Sequence, residues 1–324
     1  MNIFKYLLLP FSLLFGCVVY VRNWMYDFKI LKTYKVEVPV ISVGNISVGG
    51  SGKTPYILKL ICLLQEKGLR PAVIYRGYKR TGTVDCEKVD ISSKPASHFG
   101  DEASLVAFKA KVPVYVSANR VLAAQKIMKD ETVDVILLDD GFQHRRLHRD
   151  LDIVVLDATD TCANYILMPV GRGREPLSSL KRAGMLAKHK INLANQMPSL
   201  LTDIESSIIF NGLVKLEDWV RGNYNFVDPR GDKVTLVSGV AKPKQVSLSL
   251  HEKYPNLIVS EKHFSDHHHF RDSDIPKSEV VTTEKDAIKI KDLKIDTSSV
   301  YVMVMDLNWN LKYEELASKI FTHS

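Results

Sequence analysis

The chain has 324 residues, of which 45% are hydrophobic and 25% are charged, and its formal net charge is +7. This composition excludes an intrinsically disordered chain, and the length is sufficient for two domains with buried cores. The positive charge indicates an anionic partner, which could be nucleic acid, an acidic membrane surface or a phosphorylated substrate. The four cysteines are scattered and form no CxxC pair, so we expect a reducing compartment without a disulfide framework or a zinc site.

The first element along the chain is an uncharged segment at residues 6–21. As a helix it would extend roughly 24 Å, slightly less than the roughly 30 Å of bilayer hydrocarbon. Charged and aromatic residues flank it in positions typical of a membrane interface. We therefore predict an N-terminal membrane helix and assign residues 1–35 to an anchor and juxtamembrane segment. A buried core helix or a signal peptide is the alternative. Basic residues after the segment predict that the body of the protein stays on the cytoplasmic face of the membrane.

Short apolar runs alternate with helix-like stretches over residues 36–232, which predicts one α/β domain. Strands are expected at 36–44, 71–75, 112–117, 133–139 and 151–157, and helices at 53–67 and 119–130. This order is typical of the doubly wound, mainly parallel sheet of a P-loop NTPase. Residues 233–324 predict a second, smaller α/β domain, with strands at 234–237, 257–260, 280–283 and 300–305.

The strongest local signal is the sequence VGGSGKT at residues 48–54, between the first strand and the first helix of this domain. Glycines allow backbone N–H groups to surround phosphate oxygens, Lys53 offers a positive charge, and Thr54 offers a hydroxyl ligand to Mg²⁺. The fit to the full phosphate-loop pattern is incomplete, because Ser47 occupies the position of the first glycine. We predict ATP and Mg²⁺ as cofactors, with the nucleotide bound by Gly49, Gly50, Ser51, Gly52, Lys53 and Thr54. A glycine-rich turn with an incidental GKT is the alternative.

A second feature of phosphate enzymes is the apolar strand at 135–138, which is followed by Asp139 and Asp140. In P-loop NTPases an acid at the end of such a strand holds Mg²⁺ directly or through water. The alternative is a strand that ends in a solvated acidic turn. The phosphate loop upstream favours metal binding.

Further motifs follow one another along nearly the whole chain. They are Asn45 before GGSGKTP, GDE at 100–102, DDGFQH at 139–144, GREP at 173–176, VSGVAKP at 237–243, FSDHH at 264–268 and TTEKD at 282–286. Together with the N-terminal apolar segment, they resemble the tetraacyldisaccharide 4'-kinases of lipid A biosynthesis. The resemblance implies transfer of the γ-phosphate of ATP to the 4'-hydroxyl of a disaccharide 1-phosphate at the inner membrane. It also implies a lipid disaccharide substrate and membrane lipids as partners; we expect a monomer and no nucleic-acid partner.

The resemblance further suggests Asp101 as the base on the acceptor side and His267 as its partner. The alternative for Asp101 is a helix N-cap, because an apolar helical stretch follows it. The alternatives for the histidine run 267–269 are a solvated loop and a metal site. No second cluster of ligands lies at a spacing that supports a metal.

Arg174 and Glu175 of the GREP motif are interpreted as a phosphate clamp and as a residue near Mg²⁺. The predicted metal ligands are thus Thr54, Asp139, Asp140 and Glu175. A surface salt bridge at a helix N-terminus is the alternative for the arginine and glutamate. Arg76 and Arg120 are further candidates for anion contacts, although loop arginines are commonly only solvated.

The main alternative from another class is a membrane-associated switch ATPase or GTPase. A GTPase would carry an [NT]-K-x-D motif, but residues 283–286 place the lysine one position late. A partitioning-type ATPase would carry a lysine where this chain has Val48. A nucleic-acid protein is not favoured either, since the sequence contains no RNA-binding signature.

Overall fold

The computed structural model describes residues 7–50, 52–193 and 201–321. The chain forms two units, each assembled from separate stretches. Unit 1 comprises Met1–Arg76, Ser117–Ser207 and Asn308–Ser324, and unit 2 comprises Gly77–Val116 and Ile208–Leu307. This division differs from the boundary predicted between residues 232 and 233. A search for composition shifts along the chain finds only contiguous domains, so it could not separate residues 77–116 from the first domain.

The helices and strands are numbered here in chain order. The α-helices are α1 (Leu9–Asp27), α2 (Lys53–Glu66), α3 (Ala96–Phe99), α4 (Asp101–Ala110), α5 (Arg120–Asp130), α6 (Leu216–Arg221), α7 (Pro243–Lys253), α8 (Glu284–Ile290) and α9 (Tyr313–Ile320). The strands are β1 (Val40–Gly44), β2 (Pro71–Tyr75), β3 (Cys86–Lys88), β4 (Val114–Ser117), β5 (Val135–Asp139), β6 (Leu151–Asp157), β7 (Met185–His189), β8 (Ile204–Lys215), β9 (Lys233–Ser238), β10 (Ile258–His263), β11 (Val280–Thr283) and β12 (Val300–Trp309). Short 3₁₀ helices lie at Cys162–Tyr165, Leu177–Arg182, Asp272–Asp274 and Thr297–Ser299.

Unit 1 is built on a parallel sheet with β1 at its centre. β1 pairs with β5 on one side and β6 on the other, β2 extends the sheet beyond β5, and β7 extends it beyond β6. Every residue of β1, β2 and β5 is buried, as expected for strands covered on both faces. The predicted α/β class with mainly parallel pairing is confirmed. β1 begins later than predicted, at Val40, after Pro39, which has no N–H to donate to a ladder.

Unit 2 contains a second group of parallel strands, in which β9 pairs with β10 and β11, and β11 pairs with β12. Its core includes residues from α4, α6 and α8, with Trp219 completely buried among aliphatic side chains. The four strands predicted in the C-terminal region are all present. α4 and α8 contribute to one core although about 180 residues separate them in the sequence. This core places the start of α4 near α8.

The N-terminal segment folds as α1, which confirms the prediction of a helix there. Among the residues that the structure describes, no helix is both long enough and apolar enough to cross a membrane. The prediction of a membrane helix as the anchor within residues 1–35 is therefore not supported as a span. The physical reason lies in the last turns of α1, where Arg22, Asn23 and Asp27 interrupt the apolar run.

Candidate active site

The phosphate loop connects β1 to α2 in unit 1, as its sequence predicts. Gly52 precedes α2 as its N-cap with a left-handed φ of 78°, and Gly49 has a φ of 127°. A Cβ atom at Gly52 would lie 2.3 Å from Nε2 of His189, so only glycine fits at this position. The loop therefore directs the amino end of α2 and its partial positive charge toward the phosphate site. The predicted contact of Ser51 lies outside the described residues.

The GREP segment is held beside the phosphate loop by backbone contacts. The Val48 N–H donates to the Arg172 carbonyl at 2.8 Å, and the Arg174 N–H donates to the Ile46 carbonyl at 2.7 Å. Ser47 and Gly173 form an antiparallel bridge between these two contacts. The structure thus brings together two motifs that lie about 120 residues apart in the sequence. It places Arg174 next to the loop.

Asp140 forms ion pairs with Lys53 and Arg174, the two cations predicted from the sequence to bind phosphate. Nζ of Lys53 lies 3.3 Å from Oδ1 of Asp140, and Nη1 of Arg174 donates to its Oδ2 at 2.6 Å. Asp140 follows β5 with a left-handed φ of 51°, which turns its side chain out of the strand direction. Burial opposes ionisation of this carboxyl, but the charges of Lys53 and Arg174 outweigh it and hold the pKa of Asp140 well below its usual range. The carboxylate is therefore anionic.

The other predicted metal ligands have different environments. Asp139 is buried at the end of β5, opposite Val43 of β1. Glu175 is completely buried, and its Oε2 accepts hydrogen bonds from Asn23 of α1, at 2.9 Å, and from Arg182. Its Oε1 is buried and has no hydrogen-bond partner among residues 7–50, 52–193 and 201–321. Within those same ranges no group of three or more His, Cys, Asp or Glu residues is arranged to hold a metal, so the three predicted acids do not form such a group.

Two further basic side chains of unit 1, Arg120 and His144, have lowered pKa values. Arg120 is buried, and burial together with the charge of Arg76 lowers its pKa to about 10 against the opposing effect of the two aspartates. His144 of the DDGFQH motif is kept neutral, since burial and the surrounding arginines lower its pKa to about 4. Arg76 and Arg120 were candidates from the sequence, whereas no role was predicted for His144. Its presence in the DDGFQH motif was the available signal.

In unit 2 the structure brings Asp101 and His267 together. Nδ1 of His267 lies 3.2 Å from Oδ2 of Asp101, across 166 positions of sequence. Asp101 is the first residue of α4, and Gly100, with φ 99°, is the N-cap. The alternative that Asp101 caps the helix is therefore wrong. Burial alone would raise the pKa of Asp101, but the hydrogen bond from His267 and the charges of Lys289 and Lys285 lower it below its usual value. Because an ionised carboxylate only accepts, Nδ1 of His267 carries the proton.

The three histidines of the run have distinct surroundings. His267 adopts a left-handed φ of 65°, and its ring meets the ring of Tyr78 edge-on at 5.6 Å. His268 pairs with Asp274 at 3.0 Å and stacks on Phe264, while His269 is exposed. His267 is therefore the histidine that reaches Asp101. A metal site built on this run is not found in the described part of the chain.

A cavity of about 700 Å³ adjoins His267 within unit 2. Its lining is polar and charged, and comprises Lys79, Ser265, Asp266, His267, His268, His269, Arg271, Ser273 and Asp274. Asp266 and Asp274 are paired with Lys285 and His268. Across the described residues, the side chains of Lys79 and Arg271 have no ion-pair partner, so the cavity offers positive charge to a ligand.

These features define the class as a P-loop nucleotide-binding protein: a glycine-rich loop at the amino end of a helix, a buried acid at the end of the neighbouring strand, and basic side chains beside the loop. The family model for tetraacyldisaccharide-1-P 4'-kinase, LpxK, matches residues 4–323. The chain belongs to this family.

Individual relatives agree with the family match. The tetraacyldisaccharide 4'-kinase of Bdellovibrio bacteriovorus is 35% identical over 311 residues, covering 90% of this chain and 91% of that protein. The enzyme of the same name from Pseudoalteromonas atlantica is 32% identical over 313 residues, covering 95% and 97%. The crystal structure of LpxK from Aquifex aeolicus in complex with ATP is similar with a TM-score of 0.82 and 31% identity, and the match covers 99% of both chains.

Proposed function

We propose that this protein is an ATP-dependent lipid kinase that phosphorylates the 4'-hydroxyl of a tetraacyldisaccharide 1-phosphate in lipid A biosynthesis. The observation that carries the proposal is the contact of His267 with the buried carboxylate of Asp101, in a chain of this family. A carboxylate held ionised by an imidazole is suited to accept the proton of an alcohol. A switch ATPase or GTPase activates water and needs no such acceptor-side pair, so the pair favours the kinase.

On the nucleotide side, we assign the cradle for the β- and γ-phosphates of ATP to the backbone of the loop from Gly49 to Gly52. Lys53 and Arg174 supply the positive charge, part of which Asp140 neutralises before nucleotide binds. Phosphate oxygens and the Asp140 carboxylate then compete for the same two cations. Both cations can stabilise charge on the transferred phosphoryl group, which is the main task of a protein in phosphoryl transfer.

Thr54 and Asp139 are the residues we assign to Mg²⁺, and Asp140 and Glu175 complete the set that the sequence predicts. These residues fit the ion in chemistry, because all four donors are hard oxygens and the buried Oε1 of Glu175 still has capacity to accept. Mg²⁺ commonly binds one or two protein ligands together with phosphate oxygens, so a preformed group of three acids is not required. When bound, the ion would neutralise charge on the phosphates.

On the acceptor side, Asp101 accepts the proton of the 4'-hydroxyl, and His267 orients the carboxylate. We place the sugar of the acceptor in the cavity beside His267, whose volume of about 700 Å³ is in the range of small-molecule sites. Lys79 and Arg271 in its lining suit an anionic group of the substrate, and the 1-phosphate is such a group.

For the membrane, we propose that α1 lies against the cytoplasmic face of the inner membrane and binds its lipids. Phe11, Leu13, Leu14 and Tyr20 expose between 61% and 70% of their surface, which is unusual for apolar side chains on one helix. The other side of α1 is attached to the rest of unit 1, since Ser12 donates to the Leu167 carbonyl at 2.9 Å. An amphipathic attachment of this kind requires no spanning helix. We expect a monomer, which light scattering in detergent would test.

The direct test incubates the purified protein with γ-labelled ATP, Mg²⁺ and lipid disaccharide 1-phosphate. The parent protein should transfer label to the lipid, and Lys53→Ala, Asp101→Ala and His267→Ala should each lose most of this transfer. Label that appears only as inorganic phosphate would contradict the proposal and favour a switch ATPase.

A further inference from the structure

We propose that Lys289 on α8 is a positioning residue for Asp101, the acceptor-side base. Lys289 holds the Asp101 carboxylate so that its Oδ1 faces the acceptor hydroxyl. The inference rests on the proposed role of Asp101. Lys289 follows the TTEKD motif and has no assigned part in nucleotide binding. The evidence comes entirely from unit 2.

Lys289 is a buried ammonium group with three partners. Its side chain is 6% exposed, and Nζ lies 3.1 Å from Oδ2 of Asp101, from Oδ1 of Asp286 and from the carbonyl oxygen of His268. Two of its three N–H donors form hydrogen bonds, to Asp101 and to the His268 carbonyl, and Asp286 pairs with it through charge. The two carboxylate neighbours offset the cost of removing the ammonium group from water.

Asp286 fixes Lys289 from the opposite side. This carboxylate is completely buried and accepts the Gly239 N–H at 3.0 Å and the Thr283 hydroxyl at 2.8 Å. A Cβ atom at Gly239 would lie 3.2 Å from Oδ1 of Asp286, so a larger residue would crowd this contact. Residues of the VSG and TTEKD motifs therefore fix the position of the carboxylate that pairs with Lys289.

Both donors to Asp101 use the same oxygen. His267 and Lys289 each contact Oδ2, which fixes the rotation of the carboxylate about its Cβ–Cγ bond. Oδ1 is then the oxygen that we assign to the proton of the acceptor. The proton leaves the hydroxyl oxygen as that oxygen bonds to the γ-phosphorus, and ADP leaves with the electrons of the broken P–O bond.

Lys285, one helical turn before Lys289, has a different task. Its Nζ lies 3.0 Å from Oδ1 of Asp266, 3.4 Å from Oε1 of Glu102 and 3.5 Å from Nε2 of His267. Nε2 of His267 is also 3.5 Å from Oδ2 of Asp266. Lys285 therefore contacts His267, Asp266 and Glu102, whereas Lys289 contacts Asp101 directly.

The test compares Lys289→Met with Lys289→Arg in the full-length protein. Lys289→Met should lower kcat for lipid phosphorylation by about 10-fold or more, with little change in KM for ATP. The acid limb of the pH profile should move to higher pH by about one unit or more, because loss of a neighbouring cation raises the pKa of Asp101. Lys289→Arg keeps the charge and should restore the pH profile, with a smaller loss of kcat.

Lys291→Met is the matched control, since Lys291 lies two positions further along the chain and pairs with Asp292 at 2.7 Å. If Lys289→Met does not fold, Asp286→Asn combined with Lys289→Met removes one of the two uncompensated anions and allows the same comparison. Parental kcat and an unmoved acid limb of the pH profile, in Lys289→Met or in the double variant, would overturn the positioning role. That result would leave the kinase proposal intact, because the parent would still label the lipid; a parent that does not label it contradicts the function itself.

Discussion

Replacement of Gly52 by alanine tests whether the phosphate loop depends on the close approach of His189. The new Cβ would lie 2.3 Å from Nε2 and 2.4 Å from Cδ2 of His189, distances at which the backbone or the buried ring must move. A left-handed φ of 78° adds about 1–2 kcal/mol for a non-glycine residue. Displacement of the loop would weaken at least one backbone hydrogen bond to phosphate, which is worth about 1.5–3 kcal/mol when the acceptor is charged. The expected result is a loss of ATP affinity of about 10- to 100-fold.

Gly68 provides a matched control. It has a similar φ of 75°, and a Cβ atom there would meet nothing within 4 Å. Gly68→Ala therefore carries the same backbone strain without the clash, and it should bind ATP like the parent. Affinity would be measured by calorimetry, with thermal unfolding recorded for both variants. Combining Gly52→Ala with His189→Ala should recover part of the affinity. Parental affinity in Gly52→Ala alone would refute the reasoning.

Three further variants test separate parts of the account. Asp140→Asn should tighten the binding of ATP measured in EDTA, without Mg²⁺, since Lys53 and Arg174 lose a competing anion. Kinase activity with Mg²⁺ should fall. Weaker binding in EDTA would contradict the competition. Leu13→Ser with Leu14→Ser should reduce activity on acceptor in vesicles by about 10-fold and leave activity in detergent nearly unchanged; equal losses would count against membrane contact. Arg271→Gln should raise KM for the 1-phosphorylated acceptor more than for an acceptor without that phosphate, unlike the surface control Lys277→Gln; equal effects on both acceptors would remove Arg271 from substrate binding.

Much of the nucleotide side could be predicted from sequence because its signals are local. The strand, loop and helix around Gly49 to Thr54 follow from apolar spacing and glycine content, and all three are present. The proximity of Arg174 to the loop depends on backbone contacts to residues 46–48, which no local pattern indicates. It was reached only through the resemblance to a family.

The remainder depends on contacts between distant parts of the chain. Asp101 looked like a helix cap because the sequence shows only the following helix, whereas the N-cap of α4 is Gly100, with a positive φ of 99°. Lys289 could not be distinguished from the other lysines of its segment, because its burial is set by Asp101 and Asp286 together. Glu175 likewise contacts Asn23 of α1, about 150 residues away. Its role near Mg²⁺ stays a prediction.

The central claim is that Asp101 takes the proton from the acceptor hydroxyl, and Asp101→Asn tests it with almost no change of shape. The measurement is the single-turnover rate of label transfer from γ-labelled ATP to the lipid disaccharide 1-phosphate, with ATP affinity determined in parallel. The account predicts a fall in this rate of about 100-fold or more with unchanged ATP affinity, as is typical for loss of a general base. A transfer rate within a few-fold of the parent would contradict it.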